Sequence, residues 1–81
     1  MSVKGLFFNT SRESYSPDNC YNPMTIDELI EELELIQQAH GELPIFFCND
    51  NGYTYGSVCK GSIGVGEYIE GNGLTFYEEN Y

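Results

Sequence analysis

The strongest local instruction in the chain lies at residues 25–41. Thr25-Ile26-Asp27-Glu28 is a capping box, in which the Thr25 hydroxyl accepts from the Glu28 amide and the Glu28 carboxylate reaches back to the Thr25 amide. Behind it, Ile26, Leu29, Ile30, Leu33 and Ile36 gather on one stripe when positions are set about 100° apart. Gly41 follows the last periodic residue, and His40 stands where the helix macrodipole favours a cation. A helix over 25–40 is therefore predicted, and its apolar stripe needs a sheet to lie on.

The flanking segments supply that sheet. Residues 3–8 (Val-Lys-Gly-Leu-Phe-Phe) have the branched and aromatic content of a short strand, and residues 9–23 read as a long loop of Ser, Asn, Asp and Pro. After the helix, residues 44–48 read as a buried strand. Asn49-Asp50-Asn51-Gly52 is a hairpin signal, because Asn-Gly accepts positive φ at both centres of a type I′ turn. The return strand starts at Tyr53-Thr54-Tyr55 and runs through Val58, with Gly56, Gly61, Gly64 and Gly66 loosening the stretch up to Ile69. A second turn at residues 70–73 and a last strand at 74–77 complete the order β-α-β-β-β. The expectation is a single α+β domain over 1–81: a helix packed on a mainly antiparallel sheet, with a meander over 44–79. If the first two strands are adjacent and parallel, the crossover is right-handed. The predicted core is Leu29, Ile30, Leu33, Ile45, Phe47 and Val58, chosen by alternation along the strands and by the helix stripe.

Charge narrows the function. Thirteen Asp and Glu stand against three Lys and Arg, a net charge of -10 on 81 residues. Direct nucleic-acid binding draws most of its free energy from basic side chains neutralising phosphates, so that class is excluded, as is attraction to an anionic membrane surface. With 41% hydrophobic and 15% aromatic residues, the chain is nonetheless expected to fold. Three cysteines and an N-terminal stretch without a secretory pattern point to a reducing cytoplasm. The longest apolar run, residues 43–48, is far shorter than the roughly 20 residues that cross a bilayer.

The residues that could carry chemistry fail on spacing. Gly61-Ser-Ile-Gly64-Val-Gly66 reverses the dinucleotide fingerprint, with no helix start behind it. Asp50-Asn51-Gly52 lacks the ligand ladder and closing Glu of a calcium loop. Cys20, Cys48, Cys59 and His40 match a zinc site in number, but no pair has zinc-knuckle spacing. A two-residue turn at Asn51-Gly52 sets Cys48 opposite Tyr55 and Cys59 opposite Pro44, which argues against a Cys48–Cys59 disulfide unless the pairing is slipped or bulged. His40 has no Ser or Cys motif beside it, so no catalytic residue, metal or cofactor is expected.

Away from the apolar stripe, Asp27, Glu28, Glu31, Glu32 and Glu34 spread over the opposite arc of the helix, with Leu35 near its middle. Three readings stand: a solvated face with an incidental Leu, a Leu covered by the 9–23 loop, or an interface anchor ringed by acids. In the last, Glu28, Glu31, Glu32 and Leu35 form the centre and Asp27 and Glu34 the rim. Tyr53, Tyr55, Glu78 and Glu79 are further contact candidates.

Three segments also carry a resemblance. Met24-Thr25-Ile26-Asp27-Glu28-Leu29-Ile30-Glu31-Glu32-Leu33, then Leu43-Pro44-Ile45-Phe46-Phe47, then Asp50-Asn51-Gly52-Tyr53-Thr54-Tyr55-Gly56 resemble short, mostly uncharacterised proteins of phages, prophages and other mobile elements. The resemblance implies a mobile-element setting inside a bacterial host cell. In style the chain is also similar to small acidic anti-CRISPR and anti-restriction inhibitors, which present carboxylates where a defence complex expects phosphates. The resulting expectation is a non-catalytic inhibitor that acts as a partial nucleic-acid mimic. It would bind a basic surface of a host protein such as a CRISPR-Cas effector. The alternative is a phage accessory or structural module that docks on another protein or on itself, whose acidity only keeps it in solution. Monomer and dimer both remain open.

Overall fold

The computed structural model describes residues 1–77. Its elements are β1 (Leu6–Thr10), α1 (Ile26–His40), β2 (Ile45–Asn49), β3 (Thr54–Ser57), β4 (Gly66–Ile69) and β5 (Gly73–Phe76), with 3₁₀ turns at Pro17–Asn19 and Lys60–Ser62. The chain is α+β in the expected order, although its strands form two sheets. One has the order β1-β2-β3 and the other is the β4-β5 pair.

The helix begins and ends where its sequence directs. Thr25 Oγ1 accepts from the Glu28 amide at 3.3 Å, and Glu28 Oε1 accepts from the Thr25 amide at 2.9 Å. Gly41 closes the other end at φ 79, its N–H donating to Gln37 O at 2.7 Å. That positive φ is a conformation glycine adopts without steric cost.

β2 is the central strand, parallel to β1 and antiparallel to β3. β1 starts at Leu6 rather than Val3, since pairing opens where the Leu6 N–H donates to Pro44 O at 2.9 Å. Gly5 just before it lies against the Phe46 ring, where an added Cβ would come within 2.8 Å. At its other end β1 extends to Thr10, whose hydroxyl donates to Asn49 Oδ1 at 3.1 Å and whose carbonyl accepts from the Asp50 amide at 3.0 Å.

The hairpin register is the expected one, with Cys48 opposite Tyr55. Its turn differs. Asp50, Asn51 and Gly52 take φ of 50, 57 and 98, and Asn49 O accepts from both the Gly52 and Tyr53 amides at 3.2 and 3.0 Å. The left-handed stretch thus starts one residue earlier than a turn centred on Asn51-Gly52, as Asp and Asn tolerate that region.

The expected meander over 44–79 breaks after β3. The Cys59 amide donates to Ser62 Oγ at 3.3 Å and the Ser62 amide to Cys59 O at 2.9 Å, fixing the Lys60–Ser62 turn and diverting the chain. β4 and β5 then pair only with each other, joined through a turn with Gly71 at φ 91 and Gly73 at φ 83. At Gly66 a Cβ would lie 3.0 Å from both Leu74 Cδ1 and Thr75 O, so glycine lets the hairpin strands close there.

α1 covers one face of the three-stranded sheet. Leu29, Leu33 and Ile36 meet Leu6, Phe8 and Ile45 across shallow grooves on either side of the helix. The Phe8 and Phe47 rings on that face lie edge to face at 5.9 Å. Leu29, Leu33, Ile45, Phe47 and Val58 from the predicted core are half-buried, and none of the described residues is fully buried. Ile30 does not join them, being 48% exposed, and Ile26 at 78% lies outside the stripe. Three strands form a narrow floor, and the helix carries a wider apolar arc than that floor can cover.

Candidate functional site

The helix orientation decides which carboxylates face outward. With Leu29, Leu33 and Ile36 directed to the sheet, the helical repeat places Asp27, Glu31 and Glu34 nearest the outer meridian. Glu32 turns toward one groove, which it lines with Met24, Leu29, Leu33 and His40. Glu34 also borders the other groove with Ile30 and Gln37. Compared with the expected pattern, the outward acidic face is rotated from Glu28 and Glu32 toward Asp27, Glu31 and Glu34.

Glu28 has a structural duty that the expected interface set overlooked. Its carboxylate accepts from the Thr25 amide and hydroxyl, and these bonds hold its pKa below the usual carboxylate range. Its charge still adds to the local field, but its side chain is already engaged. Leu35 is 57% exposed, so the 9–23 loop does not cover it. α1 contains no Lys or Arg to offset its five acids. The Gln37 amide donates to Glu42 just beyond the helix.

Tyr53 and Tyr55 belong elsewhere. Tyr53 stands in the β2–β3 turn at 85% exposure. Tyr55 lies on the sheet face opposite α1, where Val3, Phe7 and Phe46 join it around a hollow of about 370 Å³. The Phe7 and Phe46 rings stack at 5.2 Å, and Tyr55 meets Phe7 edge-on at 6.0 Å. Cys48 shares this face by its pairing with Tyr55. The candidate contact residues therefore fall on two surfaces on opposite sides of one sheet. Glu78 and Glu79 lie outside the described residues.

Phe7, Phe46 and Val3 were absent from the expected contact set, yet a signal for them exists. Leu6-Phe7-Phe8 and Ile45-Phe46-Phe47-Cys48 are apolar without alternation, the pattern of strands that need cover on both faces. One helix covers one face.

Among the described residues, no group of three or more His, Cys, Asp or Glu side chains is placed to hold a metal ion, and no helix is long and apolar enough to cross a membrane. All three cysteines are free. Cys59 is exposed, and its Ser62 hydroxyl and Gly61 backbone partners lower its thiol pKa. Tyr77 donates to the Glu67 carboxylate, which raises the phenol pKa by favouring its protonated form.

Compared with known proteins, the chain matches no family model, no curated protein and no solved structure. The functional reading therefore rests on the chain's own surfaces.

Proposed function

We propose that this protein is a non-catalytic inhibitor of a bacterial defence complex, carried by a phage or other mobile element, that binds a basic nucleic-acid-binding surface through α1. The observation that carries the reading is the outward helix face, where Asp27, Glu31 and Glu34 stand exposed beside Leu35 with no Lys or Arg on the helix. Carboxylates so arranged raise the encounter rate with a basic groove, and an apolar residue among them slows escape once water is expelled. On this reading the partner is a host protein such as a CRISPR-Cas effector, met in the bacterial cytoplasm.

The test is competition. The protein is immobilised, a bacterial lysate is passed over it, and the retained proteins are challenged with duplex DNA or guide RNA. A partner released by nucleic acid, and not retained by the Asp27→Lys/Glu31→Lys/Glu34→Lys variant, supports the reading. A partner indifferent to both overturns it. The accessory-module reading draws on the second surface, because the Val3, Phe7, Phe46 and Tyr55 face is apolar and carries no acid. A partner held by that face would not compete with nucleic acid.

A further inference from the structure

Two apolar surfaces in this chain lack a cover. The first is the sheet face opposite α1, with Val3 at 63%, Phe7 at 40% and Tyr55 at 63% exposure around the half-buried Phe46. The second is one side of the β4-β5 hairpin. The register pairs Tyr68 with Leu74 and Gly66 with Phe76, so alternation puts Tyr68, Leu74 and Phe76 together, with Leu74 at 55% and Phe76 at 66% exposure. An isolated two-stranded hairpin is marginal in water and needs something against its apolar side.

The chain's dimensions show how much cover is wanted. A compact monomer of this mass exposes roughly 4,900 Å², whereas this chain exposes 7451 Å². Its radius of gyration is 14.7 Å, against about 12 Å for a compact domain of this length. The surplus, about 2,500 Å² per chain, is shared between the largely exposed 11–24 segment and these two surfaces, and it exceeds the roughly 800 Å² that each partner contributes to a standard interface.

We propose that the missing cover is a second copy of the chain, with each copy laying the Tyr68, Leu74 and Phe76 side of its hairpin on the Phe7, Phe46 and Tyr55 face of the other. Three observations favour this occupant. Both surfaces are present in one chain, so a two-fold axis satisfies both at once and the assembly closes. Among the described residues, neither surface includes an acid: α1 lies on the far side of the sheet, and Glu67 lies on the opposite side of the hairpin, bonded to Tyr77. A copy with the same large negative charge can therefore approach there. Lastly, the hairpin pairs with no strand of its own three-stranded sheet. Phe76 borders the capped Lys60–Ser62 turn, with its ring 3.6 Å from where a Gly64 Cβ would stand.

Light scattering after size exclusion tests the proposal, with variants chosen at exposed positions and circular dichroism to check their folding. The wild type should have twice the 9.2 kDa chain mass. Tyr55→Lys and Leu74→Glu should each be monomeric, with dimer affinity at least tenfold weaker. Mixed in equal amounts they should regain the dimer mass, because the heterodimer then has one native contact and one Lys–Glu contact. A wild type at chain mass up to 100 µM would overturn the proposal, whether the hairpin folds back on its own sheet or a different protein fills the face. A dimer that Leu74→Glu leaves intact would overturn the hairpin's part in it. Every variant leaves α1 unaltered, so the result does not depend on the acidic face.

Discussion

Replacing Leu33 by Ala removes three carbon atoms from the middle of the helix–sheet layer. The cost follows from its half-buried position between the two grooves. At about 0.8 kcal/mol for each fully buried methylene, full burial would give roughly 2.4 kcal/mol before any cavity penalty. Half-burial scales this to about 1–1.5 kcal/mol. Leu35→Ala is the internal control, since the same atoms are lost two residues along the same helix from a side chain already 57% exposed. Its cost should lie below about 0.5 kcal/mol, and the small gain in helix propensity from Ala applies equally to both. Urea unfolding followed by circular dichroism, at one fixed chain concentration so that any association is held constant, measures the difference. If the two variants lose equal stability, or Leu35→Ala loses more, α1 is turned differently on the sheet and the assignment of its outward face is wrong.

Thr25→Ala should cost about 1 kcal/mol by removing the cap, read from the same unfolding curves. Because the cap lowers the pKa of Glu28, its contribution is present above the ordinary carboxylate pKa and is lost as pH falls through the lowered one. The wild type should therefore lose this part of its stability in that acid window, and Thr25→Ala should lose less of it, because the variant keeps the residue 25 amide that donates to Glu28 and lacks only the hydroxyl. Cys59 should alkylate before Cys20 and Cys48, being exposed with a favoured thiolate, and Ser62→Ala should slow it; mass spectrometry of partially labelled protein reads the order. Gly5→Ala should destabilise by about 1–3 kcal/mol, since its Cβ meets both the Phe46 ring and Pro44 O; an unchanged melting temperature would show that the ring moves aside freely.

Local chemistry made the helix legible in the sequence. Thr25, Glu28 and Gly41 satisfy or terminate backbone groups within a few residues, and their geometry matches the sequence expectation. The Cys48–Tyr55 register was legible for the same reason, since the turn sets it. Features that depend on distant partners were less so. The exposure of Ile26 and Ile30 depends on the width of the sheet beneath, which a helical wheel does not contain. The start of β1 depends on Gly5 passing under Phe46, a contact between segments some forty residues apart. The separation of β4-β5 depends on a small turn closed by Cys59 and Ser62, a capping-box arrangement made by Cys and Ser in place of the Ser/Thr and Glu/Gln that mark such a cap in a sequence. For the acidic face, the sequence located the helix and its five acids, but the packing of Leu29, Leu33 and Ile36 set which of them face outward.

The central claim is that this meridian binds a basic partner, and association kinetics test it most directly. With a partner captured as described, the association rate is measured in low and moderate salt for the wild type and for the Asp27→Lys/Glu31→Lys/Glu34→Lys variant, with melting temperatures alongside. Exposed charges act mainly on encounter and are screened over about 8–10 Å at ordinary ionic strength. The wild-type rate should therefore fall steeply with salt, and the variant should associate at least tenfold more slowly with a nearly flat salt dependence. A variant that melts like the parent and associates as fast, with the same salt dependence, would contradict the claim and place the binding surface elsewhere.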